Sequence, residues 1–566
     1  MKKIFLLVVV AVLGFAQVHA QLNRYLIQLR DKRNNGFTLS NPQAYLSSQA
    51  LNRRAKFKIP IDSTDMPVTP AYIDSIRRVP GVVVLNSSKW FNQVLIRTTS
   101  PAALARIEQF PFVKGSSVIA ARIAPGMEST VNRSASKLTL TSMSNASTSL
   151  RTLSDDPFYG RSTAQVQIHR GEYLHDKGFT GSGITIAVLD AGFYGYKQNP
   201  GSDSVRKLGL IKGEWDFVDQ QASVNEDDTH GWYVFSMMAA NRPGMFVGTA
   251  PHAGYYLLRT EDPYSEYPVE EQFWAAAAEY ADSAGADIIS SSLGYSDFDD
   301  PRFDHSYAER DGKTSLVTRA ANMAFQKGMI VTASAGNSGN RPSELKFVNC
   351  PADGDFVLAV GAVDTTGAVA SFSSYGPNGA GRIKPDVASV GWNAQFLSID
   401  GTPTSASGTS LSNPNLAGLI ACLWQAFPEF SNAEILQAVK ASAHLSLNPD
   451  TRVGYGIPNF EKAFQQLTKE REQRSLIQVL QDRSLQVFPN PFQNQVSLAV
   501  KPEQTGSAVI QIWDVKGRLV FQQNRSVQGG QVQRMDLNLP ANLQSGLYYL
   551  RFSDGVLIRT VGIVRQ

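Results

Sequence analysis

The chain has 566 residues, more than one ordinary domain holds, so two to four domains are expected. Its composition, 43% hydrophobic and 18% charged with 44 glycines, is that of a soluble globular protein rich in turns. Lys and Arg number 53 against 49 Asp and Glu, a net charge of +4 with no long basic run, which excludes nucleic acid as an implied partner.

At the N-terminus Lys2 and Lys3 precede an uncharged apolar run, residues 4–16, and then "QVHA" with small residues at Val18 and Ala20. This layout predicts a secretory signal peptide over 1–20, cut after Ala20. The apolar run is too short to cross a bilayer, which takes ~20 residues, although an uncleaved anchor is the competing reading. No later segment is long and apolar enough to span, so no transmembrane segment is expected once the signal is removed.

Residues 21–122 alternate short strands ("RYLIQLR", "GVVVLNSS", "NQVLIRT", "PFVKGSSVI") with helices over 41–57 and 101–110, each with Pro near its first turn. That order predicts a small α+β domain of ferredoxin-like type. A Ser/Thr-rich stretch within 123–156 lacks the apolar content for a core and reads as an exposed linker open to proteolysis. From 157 to 466 the pattern becomes α/β. "GITIAVLD", "GYYLLRT", "ADIISSSLG", "GMIVTASAGN" and "DFVLAVGAVD" read as buried parallel strands, with helices such as 269–285 between them. The charged run "LTKEREQRS" marks a linker over 467–484. Residues 485–566 alternate with period two, and Asp554-Gly555 is a two-residue hairpin signal, so an all-β sandwich is expected there.

Cys350 and Cys422 are too few for a disulfide framework; two buried thiols are expected, a single bridge being the other reading. Chemistry is expected at the carboxyl ends of the middle domain's strands. Asp190 closes one strand, and Asn337 follows another in "TASAGNSGN". Of seven histidines, His230 alone stands at a helix start, in "DDTHGWYVFSMMAAN", behind the capping residues Asp227, Asp228 and Thr229. "TSASGTSLSNPNLAG" (404–418) holds four serines ahead of an apolar helical run. Each of these features alone has an ordinary structural reading as a strand end, helix cap or turn. Together, Asp190, His230 and Ser410 give the order Asp…His…Ser of one known catalytic triad arrangement. A serine hydroxyl needs a base at neutral pH, imidazole supplies it, and a buried carboxylate fixes the imidazole tautomer.

In four ordered motifs, "IAVLDAGF", "THGW", "SAGNSG" and "SGTSLSNPNLAG", the middle domain resembles the subtilases, the subtilisin-like serine peptidases. "GTAPHAGYYLLRT", "SSLG" and "SFSSYGP…KPDVASVG" support the resemblance. It implies a secreted serine endopeptidase acting on protein and peptide substrates through an acyl-enzyme. Ser410 would be the nucleophile, His230 the general base and acid, and Asp190 its orienting partner. Asn337 would donate to the oxyanion beside the Ser410 backbone N–H. Ser292, Leu293 and Gly294 would pair with the substrate backbone, and Ser334 and Gly336 would line an uncharged specificity pocket.

No cofactor or metal is required for that chemistry. A structural calcium is in keeping with the resemblance, but its sites are not deducible; the acidic loop 296–312, with Asp297, Asp299, Asp300 and Asp304, reads first as solvated. The sequence departs from the family at Ala191, where Ser or Thr supports the Asp, at Trp232-Tyr233, where Thr-His is usual, and at Leu411. A catalytically weak or inactive binding protein on the same scaffold is therefore the alternative. Residues 21–122 resemble a subtilase propeptide, which assists folding and then inhibits. "VFPNPF", "DVKGRLV" and "LQSGLYYLRFSDG" resemble a type IX secretion sorting domain, which implies export across a Gram-negative outer membrane and the secretion machinery as a partner.

Overall fold

A computed structural model describes residues 22–121, 158–226, 228–480 and 484–566. The expected signal peptide and the 123–156 linker lie outside the described residues. The N-terminal domain runs β1 (Leu22–Leu29), α1 (Ser48–Lys56), α2 (Pro70–Arg77), β2 (Val83–Ser88), β3 (Gln93–Arg97), α3 (Pro101–Glu108), β4 (Val113–Ala121). Its sheet has the order β2-β3-β1-β4 with every neighbouring pair antiparallel, the ferredoxin-like arrangement. The helix expected over 41–57 is split. A 3₁₀ turn occupies Pro42–Ala44, and α1 begins only where the Ser47 hydroxyl caps the Ala50 N–H at 3.2 Å. Helix α2, only eight residues long, is not among the helices expected from the sequence.

The middle domain is built on β5 (Thr185–Asp190), β6 (Ile211–Asp216), α4 (His230–Ala239), β7 (Gly254–Arg259), α5 (Val269–Ala284), β8 (Ile288–Ser291), α6 (Leu316–Gln326), β9 (Ile330–Ser334), β10 (Val357–Val363) and β11 (Val387–Val390). There follow a hairpin, β12 (Ala394–Leu397) and β13 (Pro403–Ala406), and the helices α7 (Thr409–Ala426), α8 (Asn432–Ser442) and α9 (Phe460–Leu480). Seven strands form one parallel sheet in the order β11-β10-β9-β8-β5-β7-β6. Five of them match the runs read from sequence. The other two are the edges, β6, which is largely half-buried and mixed in polarity, and the four-residue β11, where periodicity gives little signal. Both faces of the sheet are covered, so its central strands are almost wholly buried. Helix α7 crosses the core with every residue buried except Gln425. Helix α9 runs through 467–480, within the stretch 467–484 expected as a linker.

The N-terminal domain lies against helix α5. Leu26, Trp90, Leu95 and Ile119 share one apolar cluster with Phe273, Ala277 and Ala281. Around it are buried polar contacts. Glu279 of α5 accepts the backbone N–H groups of Lys89 (2.7 Å) and Trp90 (3.1 Å) and the Ser88 hydroxyl, and burial pushes its carboxyl up to about 7. Asp282, fully buried, accepts from Arg53 at 2.7 Å and from Arg54 at 2.9 Å, with Lys89 at 3.6 Å. Arg54 also reaches Asp65, which in turn holds Lys327 of the middle domain. Gly285 ends α5 at φ +94°, and a Cβ there would lie 2.4 Å from Gln49 Cβ, so the two domains meet where no side chain fits.

The C-terminal unit carries β14 (Leu485–Phe488), β15 (Gln495–Val500), β16 (Gly506–Asp514), β17 (Leu519–Val527), β18 (Gln533–Asn538), β19 (Gly546–Ser553) and β20 (Ile558–Arg565). Sheets β14-β15-β18 and β17-β16-β19-β20 bury one core that draws on both, including Leu498, Leu537, Ile510 and Phe552: a β-sandwich, as expected. The hairpin at Asp554-Gly555 is longer than the two residues expected, because Ser553 pairs with Ile558. The buried Asp554 carboxylate collects the N–H groups of Val556, Leu557 and Glu503, which holds the longer loop.

Replacing Asp282 by Ala removes the anion from two buried guanidinium groups. In full-length protein carrying Ser410→Ala to prevent self-cleavage, the N-terminal domain should lose about 3–5 kcal/mol of its attachment and unfold ahead of the rest in urea. A single unshifted transition would refute this account of the interface.

Candidate active site

Asp190 is the last residue of β5, and the alternation of a fully buried parallel strand puts its side chain inside the domain with no exposure. His230 is the first residue of α4. That helix starts there because the Asp228 carboxylate accepts the His230 N–H at 2.7 Å; Thr229 makes no side-chain cap, and Asp227 lies outside the described residues. The two side chains meet: Asp190 Oδ1 lies 2.6 Å from His230 Nδ1. The same oxygen accepts the Ala191 N–H at 2.8 Å. This contact fixes the imidazole with Nδ1 facing the carboxylate and Nε2 turned away from it.

The approach depends on two glycines. A Cβ on Gly231 would stand 2.2 Å from the Gly192 carbonyl oxygen, and one on Gly192 would stand 2.8 Å from the Asp228 N. Neither obstacle is a flexible side chain, so the strand end and the helix start can touch only where both residues lack Cβ.

Ser410 is the second residue of α7, where backbone N–H groups have no intrahelical acceptor. Pro414 stands four residues on, inside the helix. It therefore cannot donate to the Ser410 carbonyl, and the Ser292 hydroxyl donates there instead, at 2.8 Å. The Ser410 hydroxyl in turn donates to the Ser292 carbonyl at 3.2 Å. One turn later Asn413 Nδ2 reaches Ser290 Oγ and the Ser291 carbonyl, both at 3.2 Å, so α7 is tied to the end of β8 along its first two turns.

Asn337 turns its amide oxygen to Thr409, whose N–H and hydroxyl both donate to it at 2.8 Å. Its donor end, Nδ2, is thereby set on the opposite side of the amide. Gly336, at φ +110°, donates to Thr409 Oγ1 at 3.2 Å. Ser334 Oγ donates to the Leu293 carbonyl at 3.4 Å, so the ends of β8 and β9 are joined. Gly294 lies against the Asn349 side chain, whose amide nitrogen a Cβ there would meet at 1.8 Å, so a larger residue would have to displace that side chain. Of the nine residues singled out from sequence, Asp190 meets His230, Ser292 exchanges hydrogen bonds with Ser410, Ser334 bonds Leu293, Asn337 and Gly336 both bond Thr409 beside Ser410, and Gly294 lies against Asn349.

The chain belongs to the subtilase family. Residues 181–456 match the subtilase family, 24–137 match the Bacteroidota Peptidase S8 propeptide domain, and 486–564 match the secretion system C-terminal sorting domain. Subtilisin BL of Lederbergia lenta is 30% identical over 290 residues, 51% of this chain and 93% of that protein. Subtilisin E of Bacillus subtilis (strain 168) is 30% identical over 294 residues, 52% of this chain and 68% of that one. The alkaline protease of Alkalihalobacillus alcalophilus is also 30% identical, and the chain spans 66% of its length. A solved structure, MycP1 with its N-terminal propeptide removed, matches 53% of this chain and 96% of its own at 25% identity and a TM-score of 0.43.

The departures from the subtilase pattern can now be located. Trp232 is fully buried and donates its indole N–H to the Ser398 carbonyl at 3.1 Å, beyond the end of β12. Tyr233 packs on Phe396 of β12, ring centroids 4.7 Å apart. Both side chains brace α4 against the β12–β13 hairpin. Ala191 offers only a methyl group, and Asp190 Oδ2 receives no hydrogen bond among the described residues. The other described histidines have structural partners. His169 bridges Pro458 and Ser389 and is pushed down to about 4 by burial, His175 bridges Tyr159 and Thr249, and His305 meets Glu271.

Both cysteines are buried free thiols. In the acidic loop, Asp299 accepts the Glu266 N–H, Asp300 holds Arg302, and Asp304 accepts the Phe298 N–H. Among the described residues, the oxygens of Glu261, Glu266 and Glu270 converge to within 4.8 Å of one another.

The Ser292–Ser410 exchange was missed in the sequence, though Pro414, four residues after the serine, was its signal. Gly231→Ala should place a methyl group against the Gly192 carbonyl and cost roughly 1–3 kcal/mol. In the Ser410→Ala background its thermal midpoint should fall and the strongly deshielded His230 Nδ1 proton should disappear from the NMR spectrum. Retention of that resonance would refute the close-contact argument.

Proposed function

We propose that this subtilase is an active serine endopeptidase, made as a precursor and exported across the outer membrane to the extracellular space or cell surface. The observation that carries the proposal is the buried 2.6 Å contact of Asp190 with His230. In this reading His230 Nε2 takes the proton of Ser410 Oγ as that oxygen attacks the scissile carbonyl, and later returns it to the leaving amine. Rotation about the Ser410 Cα–Cβ bond exchanges the hydroxyl's hydrogen bond to Ser292 for one to His230. The oxyanion is received by Asn337 Nδ2 and the Ser410 N–H, where the start of α7 adds its own dipole.

Substrate backbone lies along Ser292–Gly294, and Ser334 and Gly336 line the pocket for the residue before the scissile bond. Small uncharged walls suit no charged side chain there. The chemistry needs no cofactor or metal; calcium would be a structural ion only. The partners are protein and peptide substrates, the chain's own propeptide, and the secretion machinery that reads the C-terminal domain. The competing view of an inactive scaffold drew on Trp232 and Tyr233, and their packing on the β12–β13 hairpin weakens it.

A fluorophosphonate probe applied to the processed protein should label Ser410, and labelling should vanish in Ser410→Ala. Asn337→Ala should keep the label site but lower kcat about 10²–10³-fold. Folded, processed protein that takes up no probe would establish the inactive reading instead.

A further inference from the structure

Arg259, the last residue of β7, is buried at 2% exposure beside the site. In the sheet it is the register partner of Asp190 on one side and of Asp216 on the other. Its guanidinium Nη1 contacts Asp216 and Asp219, each at 2.7 Å, and its Nε donates to the Ala191 carbonyl at 3.2 Å. Asp216 is itself immobilised, since it accepts the N–H groups of Val218 (2.8 Å) and Asp219 (3.0 Å). The Ala191 residue is thus held at both ends. Its N–H binds the Asp190 carboxylate and its carbonyl binds a clamped guanidinium.

This matters because of what surrounds it. Ala191 has no hydroxyl to support Asp190, whose Oδ2 receives no hydrogen bond among the described residues. The next residue, Gly192, sits at φ +149°, a conformation that glycine adopts and other residues rarely do. With its carbonyl unheld, Ala191 keeps only the anchors on its N-terminal side, its own N–H on the Asp190 carboxylate and the Thr260 N–H on the Asp190 carbonyl, and the chain beyond Asp190 can drift and take the carboxylate out of line with His230.

We propose that Arg259 is a positioning residue for catalysis: clamped by Asp216 and Asp219, it holds the Ala191 carbonyl so that the Asp190 carboxylate stays directed at His230. The inference rests on the reading of Asp190 and His230 as the catalytic pair.

Arg259→Lys is the discriminating substitution. A lysine keeps a charge for Asp216 and Asp219, but as a single point donor it does not reproduce the fork that also reaches Ala191. Enzyme matured from the full chain should keep its thermal midpoint within a few degrees and its KM within about twofold, while kcat falls roughly 10–100-fold, the scale of a small misplacement of reacting groups. Adding Ala191→Ser to that variant supplies a hydroxyl beside Asp190 and should restore at least a few-fold of the lost kcat. A kcat within about twofold of the parent overturns the proposal. So does loss of folding in the lysine variant, or a loss of kcat that Ala191→Ser leaves untouched, because either marks Arg259 as structural only. Asp190→Asn and Ser410→Ala run alongside separate the two levels. If they keep full activity, the catalytic reading itself fails; if they are inactive and Arg259→Lys is unimpaired, only the positioning role fails.

Discussion

The site depends on a backbone contact before it depends on any side chain. The end of β5 and the start of α4 must come close enough for Asp190 and His230 to share a 2.6 Å hydrogen bond, although they lie 40 positions apart in the chain. At that distance the Gly192 carbonyl lies where a Cβ of residue 231 would be, and the Asp228 backbone lies where a Cβ of residue 192 would be. Two glycines therefore set the distance, the Asp228 cap sets the first residue of the helix, and the parallel sheet sets the height of the carboxylate. The imidazole orientation follows from these three, which are properties of the local framework and not of the Asp190 and His230 side chains themselves.

A second exchange operates at Ser410. A proline in the second turn of α7 removes the N–H that would have satisfied the Ser410 carbonyl, a loss that costs a helix several kcal/mol when nothing replaces it. The Ser292 hydroxyl does replace it, at 2.8 Å, and receives the Ser410 side chain at its own carbonyl in return. The effect is to bind the helix that carries the serine to the strand end that would carry substrate. Asn413 repeats the connection one turn later. The Ser410 backbone is thus anchored to its surroundings while its side chain retains a rotatable bond.

Much of this was legible in the sequence, and the failures have physical causes. The strands with continuous apolar runs were read correctly because burial on both faces leaves no other pattern for them. The edge strands β6 and β11 were missed because an edge is half solvated or short, so neither alternation nor a long apolar run develops. Asp190, His230, Asn337 and Ser410 could be named because each lies in a local motif, and the fold brings them to one end of the sheet. What no local pattern encodes is a bond between distant elements. Arg259 on β7, Ser292 after β8 and the packing of Trp232 on Ser398 are all of this kind. Pro414 is an instructive intermediate case: its position was plain, but its consequence needed the helix register, since only that register makes Ser410 the acceptor left without a donor.

The contact between the N-terminal domain and α5 illustrates a division of labour between apolar and ionic groups. Trp90, Leu95 and Phe273 belong to the cluster that removes apolar surface from water, and such burial supplies most of the association energy without discriminating strongly among partners of similar shape. The ionic groups act differently. Placing Arg53, Arg54 and Asp282 in a buried environment costs desolvation that their mutual attraction roughly offsets, so the set adds little net stability. A partner lacking either guanidinium would nevertheless leave Asp282 less fully compensated and lose several kcal/mol. The interface is therefore weakly dependent on its ion pairs for strength and strongly dependent on them for selectivity.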